Sequence, residues 1–298
     1  MAIDAPSADR YMSGHGARLR SMRLTVLVDN SPGNGLLHEH GLSIHVEANG
    51  TRFLFDLGQT SRFAQNANRL GVDLSAVSLA IISHGHYDHG GGLARFLEMN
   101  RAAPVYLRRG ADGSFRSGPR GSRYIGLDRS VLAAHRERLR WLDDDKDVAR
   151  GIHLLTWIPR SEPRPAGNLR LMARRGGDLV QDDLAHELVC VIEEDDGMTV
   201  ITGCGHSGIA NMLLAAQERF PGRSLKAVVG GFHLLDGKGP GEPAVDEEGV
   251  EALLRALAGQ ERARVVTGHC TGEGAMALLK ERLGGRLVRM NAGMRMEL

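Results

Sequence analysis

The segment Ser83-His84-Gly85-His86-Tyr87-Asp88-His89-Gly90-Gly91-Gly92 constrains this chain more than any other, because it crowds three imidazoles and a carboxylate into six residues. It follows an apolar run, Val77 to Ile82, that reads as a buried strand, and a helix is expected after it. Neutral imidazole nitrogen and carboxylate oxygen are good ligands for zinc and similar divalent ions, and the flanking glycines let the backbone turn sharply enough for several side chains to converge. A lone histidine on a loop is usually an ordinary polar residue, but that reading does not account for this density. Four side chains from one loop cannot all reach one small ion with good geometry and leave a position for water, so the spacing predicts two adjacent ions.

Further ligands must then come from other strand ends. Three candidates stand out: His206 in Thr202-Gly203-Cys204-Gly205-His206, His233 in Gly230-Gly231-Phe232-His233, and His269 in Thr267-Gly268-His269-Cys270. Each closes a short apolar run beside glycine, so all can face one rim of the same sheet system. Taken singly each reads equally well as a loop histidine; with the cluster they point to one shared pocket.

Along the rest of the chain, β-rich runs at Arg23 to Val28, Leu42 to Glu47 and Arg52 to Leu57 open the fold, the last two joined by Asn49-Gly50, a strong hairpin signal. A helix is expected from about Thr60 to Gly71. A second strand-turn-strand cycle runs from Leu188 to Thr202, and helices on Ile209 to Phe220 and Val250 to Leu257 flank short strands at Leu225 to Val229 and Arg264 to Val266. Residues from about 111 to 177 read as an irregular insertion with one helix over Asp128 to Leu142. Residues 1–21 read as a flexible tail before a single domain over 22–298, and Asp236 to Pro243 as a mobile loop near the pocket mouth.

A chain of 298 residues, 42% hydrophobic, can bury one large core. Its 37 Lys and Arg against 36 Asp and Glu leave a net charge of +1, without the basic excess that drives phosphate-backbone binding, so nucleic acid is not the expected partner. Cys190, Cys204 and Cys270 are few, odd in number and far apart, which suits a reducing, cytoplasmic compartment. Neither a signal peptide's apolar region nor a run long enough to cross a bilayer is visible, so no membrane association is expected.

The H-x-H-x-D-H pattern formed by His84, His86, Asp88 and His89 resembles the signature of the metallo-β-lactamase superfamily. Val28-Asp29-Asn30, Glu39-His40-Gly41-Leu42-Ser43, Phe55-Asp56-Leu57-Gly58-Gln59, Gly203-Cys204-Gly205-His206, Gly231-Phe232-His233-Leu234 and His269-Cys270-Thr271-Gly272 are similar to the branch called dihydropterin-6-methyl-aminobenzene-ribofuranosyl-phosphate synthase-like. The resemblance implies a mixed α/β (α+β) fold, a four-layered αββα sandwich. It also implies a pair of divalent metal ions between two central sheets, usually Zn2+, with Mn2+ or Fe as alternatives. In that pattern His84, His86 and His206 hold one ion, and Asp88, His89 and His269 the other. Asp56 lies beneath the ions and orients ligand histidines, while His233 faces substrate and joins Asp88 as a catalytic group. The chain departs from better-known members in lacking a His-Thr-Pro-Gly-like segment and in having Cys204 where many place a bridging Asp. The third and bridging ligands therefore stay open, with Asp182, Asp183, His186 and Glu187 as alternatives. Cys204 is either a soft ligand or a small buried residue beside the site, and the latter reading is preferred.

Two ions about 3.5–4 Å apart would lower the pKa of a shared water, so metal-dependent hydrolysis of a small molecule follows most directly. The electrophile stays open, although the branch suggests a phosphorylated, pterin-like compound. Arg108, Arg109, Arg116, Arg120 and Arg123 form either an anion site or, as such runs commonly do, a solvated basic surface. The competing readings are a di-iron oxidoreductase on the same fold and a metal-bearing ligand sensor with negligible turnover. A homodimer is compatible with fold analogy, but no heptad or apolar stripe in the sequence argues for it.

Overall fold

The computed structural model describes residues 21–235, 237 and 245–298. The tail expected at 1–21, apart from Ser21, and the loop expected at 236–243, apart from Gly237, lie outside the described residues. In chain order the elements are β1 (Arg23–Val28), β2 (Ser43–Ala48), β3 (Thr51–Phe55), α1 (Arg62–Leu70), β4 (Leu79–Ile82), α2 (Tyr87–Gly90), α3 (Leu93–Met99) and β5 (Val105–Arg108). There follow β6 (Ser114–Ser117), β7 (Arg123–Tyr124), α4 (Arg129–Ala134), β8 (Leu139–Leu142), β9 (Lys146–Ala149), β10 (Ile152–Leu155), β11 (Leu171–Arg175) and β12 (Asp178–Gln181). The chain continues through β13 (Val189–Glu194), β14 (Gly197–Ile201), α5 (Ile209–Arg219), β15 (Leu225–Gly230), α6 (Glu247–Ala256), β16 (Arg264–Thr267), α7 (Glu273–Leu283), β17 (Leu287–Arg289) and β18 (Arg295–Glu297).

The described strands form a sheet in the order β18-β1-β2-β3-β4-β5-β8, a second in the order β17-β16-β15-β14-β13-β10-β9, and a small one in the order β12-β11-β6-β7. Period-two alternation explains how the two large sheets stack. In β4, Leu79 and Ile81 point into the inter-sheet core while Ala80 and Ile82 point to the opposite face. In β13, Cys190 and Ile192 meet the first sheet and Val189 and Val191 face away from it. The outer face of the first sheet is covered by Phe63 and Ala67 of α1 and Phe96 of α3. That of the second is covered by Met212 and Leu213 of α5, Leu253 of α6 and Leu279 of α7. The result is the four-layered αββα sandwich. Local chemistry agrees with it: Asn49 and Gly50 adopt φ of 52° and 83°, as a two-residue hairpin turn requires, and Ala48 pairs with Thr51.

The stretch 111–177 departs from its sequence reading. The helix expected over Asp128 to Leu142 stops as α4 at Ala134, and the chain then pairs in parallel with β5 as β8, Leu139 opposite Val105. Leu139 packs under the outer helices and Leu142 in the inter-sheet core, so the spacing that looked helical serves the two faces of an edge strand. Beyond it, β9 and β10 extend the second sheet, and β6, β7 and β11 build the small sheet. This stretch is thus woven into all three sheets.

The topology also fixes where chemistry can occur. Strands β3 and β4 run parallel, as do β14, β15 and β16, and the ends of these five strands deliver Asp56, the Ser83 loop, Cys204 with His206, His233 and His269 to one rim. Phe53 is fully buried between the sheets. Phe53→Ala is expected to cost about 3–5 kcal/mol through lost burial and a residual cavity, read as a lower urea midpoint at unchanged m-value.

Candidate metal centre

Four clusters of ligand-type side chains, each with its ligand atoms within 4.8 Å of one another, occur among the described residues: Asp88, His89, Cys204 and His269; His84, Cys204 and His206; Cys204, His233 and Cys270; and His86, Asp182 and His186. The predicted residues therefore converge. The rings of His84 and His86 lie 4.5 Å apart, those of His84 and His206 4.9 Å, and those of His86 and His206 5.1 Å. Beside them, His89 Nε2 lies 3.0 Å from His269 Nε2 and 3.6 Å from Asp88 Oδ2, and His269 Nε2 lies 3.5 Å from the same oxygen.

Hydrogen bonds decide which nitrogen each ring presents. A carboxylate oxygen only accepts, so the 2.6 Å bond to Asp56 Oδ2 puts the hydrogen of His89 on Nδ1 and leaves Nε2 turned inward. The Ser83 hydroxyl donates to Asp56 Oδ2 at 2.8 Å and so accepts from His84 Nδ1 at 2.9 Å. Amide oxygens do the same for His206, whose Nδ1 donates to Asn168 Oδ1 at 2.9 Å, and for His269, whose Nδ1 donates to Asn30 Oδ1 at 3.0 Å. The Asp56 carboxylate thus bonds His89 directly and His84 through Ser83, so one side chain orients a histidine of each trio.

The electrostatics divide the site in two. Burial, then the neighbouring imidazoles, hold His84 and His206 well below the usual histidine range. The same causes push His86 down to about 3. These rings are neutral at physiological pH. Their three Nε2 atoms are buried and have no hydrogen-bond partner. An unmet buried polar atom costs about 1–3 kcal/mol, so three of them on rings 4.5–5.1 Å apart fit a cation far better than an empty space. On the other side burial opposes charge, but His89, His269 and His40 outweigh it and hold the Asp88 carboxyl well below its usual range. Burial would lower His269, yet the Cys270 sulfur, Asp88 and Asp29 push it up to about 9, so this half attracts positive charge.

Backbone conformation is committed to the same end. Asp56, His233 and His269 adopt φ of 59°, 49° and 47°, a left-handed region that costs non-glycine residues about 1–3 kcal/mol and that collects at functional sites. Gly203 lets the Cys204 turn approach, since a Cβ there would lie 2.0 Å from Ser83 Oγ. His233 ring nitrogens are buried without partners, 4.2 Å ring to ring from His206.

The alternative ligands have partners of their own, although Asp182 and His186 also form a ligand-type cluster with His86. Asp183 pairs with Arg175 at 2.6 Å, and Glu187 accepts the backbone N–H groups of His206 and Ser207 at 2.9 and 2.6 Å. His186 Nδ1 accepts the Gly85 N–H at 3.0 Å and its Nε2 donates to Asp182 at 3.2 Å, so both ring nitrogens are spent behind His86. Sequence reasoning gave no role to Ser83, Asn30, Asn168 or His40. His40 Nε2 lies 3.2 Å from Asp88 Oδ2, half-exposed at the open side. Its only signal was its place in the Glu39-His40-Gly41 motif, and Asn168 had none.

A cavity of about 310 Å³ opens onto both trios, with Tyr87, Ser117, Arg123 and Arg170 among its lining residues. Of the arginine run, Arg109 is tied to Asp143, Arg116 to the carbonyls of Gly121 and Ser122, and Arg108 to that of Glu187, whereas Arg123 sits 5.7 Å from the Tyr87 ring in the cavity wall. All three cysteines are buried free thiols. Among the described residues no helix is long and apolar enough to cross a membrane.

Comparison with known proteins agrees with this geometry. The model of the metallo-beta-lactamase superfamily matches residues 39–269. The chain is 29% identical over 272 residues to a protein of Methanocaldococcus jannaschii named 7,8-dihydropterin-6-methyl-4-(beta-D-ribofuranosyl)-aminobenzene-5'-phosphate synthase, covering 86% of this chain and 88% of that one. A crystal structure described as a metal-dependent hydrolase of the beta-lactamase superfamily is 34% identical, with a TM-score of 0.77 over 93% of this chain and 99% of its own. Zn(2+)-bound PqqB from Methylobacterium extorquens shares the fold at 12% identity and a TM-score of 0.57, over 93% of this chain and all of that one, 100%.

Because Asp56 orients histidines of both trios, Asp56→Asn is expected to weaken divalent-metal affinity about 10–100-fold. Competition with a chromophoric chelator measures the loss, and an unchanged affinity in a folded variant would remove Asp56 from the site's design.

Proposed function

The chain belongs to the metallo-β-lactamase superfamily, and we propose that it is a binuclear metal-dependent hydrolase acting on a small anionic substrate. The observation that carries this is the set of three unpartnered, buried Nε2 atoms of His84, His86 and His206 beside the Asp88, His89 and His269 group. The first three would hold one ion and the second three another, with Zn2+ the best match to this imidazole-rich set. When bound, such a pair supplies Lewis acidity and a water acidic enough to attack at neutral pH.

The chain's own groups supply the rest. Asp88 turns Oδ2 toward His40, His89 and His269, so its carboxylate is placed to accept a hydrogen bond from the attacking water; no serine or cysteine nucleophile is needed. His233, with both nitrogens free in the cavity wall, is positioned to donate a hydrogen bond to a substrate oxygen. Arg123 and Arg170 give the cavity two cations suited to a phosphate or carboxylate. A phosphorylated substrate also accords with the 5'-phosphate in the name of the relative from Methanocaldococcus jannaschii.

Elemental analysis of the purified chain is expected to give two zinc ions, with turnover of phosphoester, lactone or thioester probes abolished by chelation and restored by Zn2+. Metal without turnover on any probe would favour a ligand-sensing role, and absence of metal affinity would overturn the centre. Arg123→Ala is expected to raise KM for a phosphorylated substrate about tenfold or more, the worth of one charged hydrogen bond, with little change in kcat.

A further inference from the structure

A second cavity, of about 320 Å³, shares no lining residue with the one that opens onto the metal trios. Its walls carry Arg108 from the end of β5, Arg160 and Arg164 from the strap that follows β10, and Trp157, which is 61% exposed. Tryptophan is highly buried on average, so an indole left this open beside three guanidiniums marks the place. The volume falls at the lower end of small-molecule sites, which run from about 300 to 1,000 Å³.

The chain does not answer these charges. Arg108 donates to the Glu187 carbonyl at 3.1 Å, and Arg160 and Arg164 donate to the Asp183 carbonyl at 3.3 and 3.2 Å. A backbone oxygen carries no formal charge, and a guanidinium has five N–H groups to give, so each keeps donors for a ligand. The nearby carboxylates are bonded elsewhere. Asp145 accepts the Thr156 and Trp157 N–H groups at 2.7 and 3.3 Å, Asp183 pairs with Arg175 at 2.6 Å, and Glu187 accepts the His206 and Ser207 N–H groups. Burial lowers Arg108 even though Asp145 and Glu187 raise it, so this half-buried cation stands to gain from an anion.

The strap is also held in place. The Glu162 N–H donates to Asn211 Oδ1 at 2.8 Å, Asn211 Nδ2 returns a bond to the Glu162 carbonyl at 2.9 Å, and Arg255 pairs with the Glu162 carboxylate at 2.9 Å. Ile158 packs against the core of the second sheet, and Pro159, Pro163 and Pro165 restrict the backbone between these anchors. Surface arginines are ordinarily solvated; these differ in converging from a fixed frame, which lowers the entropy cost of binding.

We propose that this cavity is a second ligand site, for a small molecule that joins an aromatic ring to a phosphate, as a nucleoside monophosphate does. The ring lies against Trp157 and the phosphate takes the free N–H groups of Arg108, Arg160 and Arg164. The site does not depend on the two-metal reading. Its lining includes Ala185 and Ser207, the chain neighbours of His186 and His206, so an occupant lies against the loops that carry those histidines.

The test is a titration of the full-length chain with AMP, reading the fluorescence of its two tryptophans, Trp141 and Trp157. The wild type is expected to show saturable quenching, and Trp157→Phe to abolish it. The double variant Arg160→Gln and Arg164→Gln binds AMP at least about tenfold more weakly, the worth of a charged hydrogen bond, whereas Arg123→Ala in the metal-side cavity binds it unchanged. On the wild type alone, adenosine and inorganic phosphate each displace AMP only at about tenfold or higher concentration, because each offers one of the two contacts. No saturable quenching in the wild type would overturn the proposal. So would quenching that survives in Trp157→Phe, either half-ligand competing as well as AMP, or affinity lost in Arg123→Ala but kept in the double variant, which would put AMP over the metal trios instead.

Discussion

The Asp56 carboxylate is the interaction on which the rest of this structure depends. Taking an ionised carboxylate out of water costs several kcal/mol unless it is fully bonded, and Asp56, with no exposed surface, is bonded by the Ser83 N–H at 2.7 Å, the Ser83 hydroxyl at 2.8 Å and His89 Nδ1 at 2.6 Å. Those bonds tie the end of β3 to the loop after β4. They also set the tautomer of His89 directly and that of His84 through the serine. The left-handed backbone at Asp56 is part of the cost of aiming its side chain under that loop.

How much of this was legible in the sequence follows from the range of each interaction. His84, His86, Asp88 and His89 announce themselves because four ligand-type residues share one turn, and the hairpin at Asn49-Gly50 does so because turn chemistry is local. Their supports are not local. Asn168 bonds His206 across 38 residues and nothing around it marks it, while Asn30, which bonds His269 across 239, stands in a motif whose sequence does not reveal that partner. Residues 139–155 were misread for a related reason. Edge strands β8 and β9 are short and mix polar with apolar residues, so only their pairing partners, β5 and β10, define them. The six metal-ligand candidates were assigned by resemblance, and the structure gathers all of them at one rim.

The two halves of the site differ in character. The His84, His86 and His206 side is kept neutral by burial and crowding, whereas the Asp88 and His269 side concentrates negative charge and opens to the cavity through His40. Both sides reach the same cavity, His86 and His206 from the neutral one and Asp88 and His269 from the charged one, and Arg123 and Arg170 line it beside them.

The pinning of His269 carries a consequence for how the chain would acquire metal. Its N–H donates to Asp29 Oδ2 across 240 residues, and the other ligands come from the intervening strands of both large sheets. No fragment shorter than most of the described chain holds a complete trio pair, so the binding site is a property of the finished tertiary structure. Metal capture at the proposed centre would therefore require both docked sheets. Because the bound state is closed to the unfolded ensemble, ion availability sets the resistance of the whole sandwich to opening, by mass action on the native state alone.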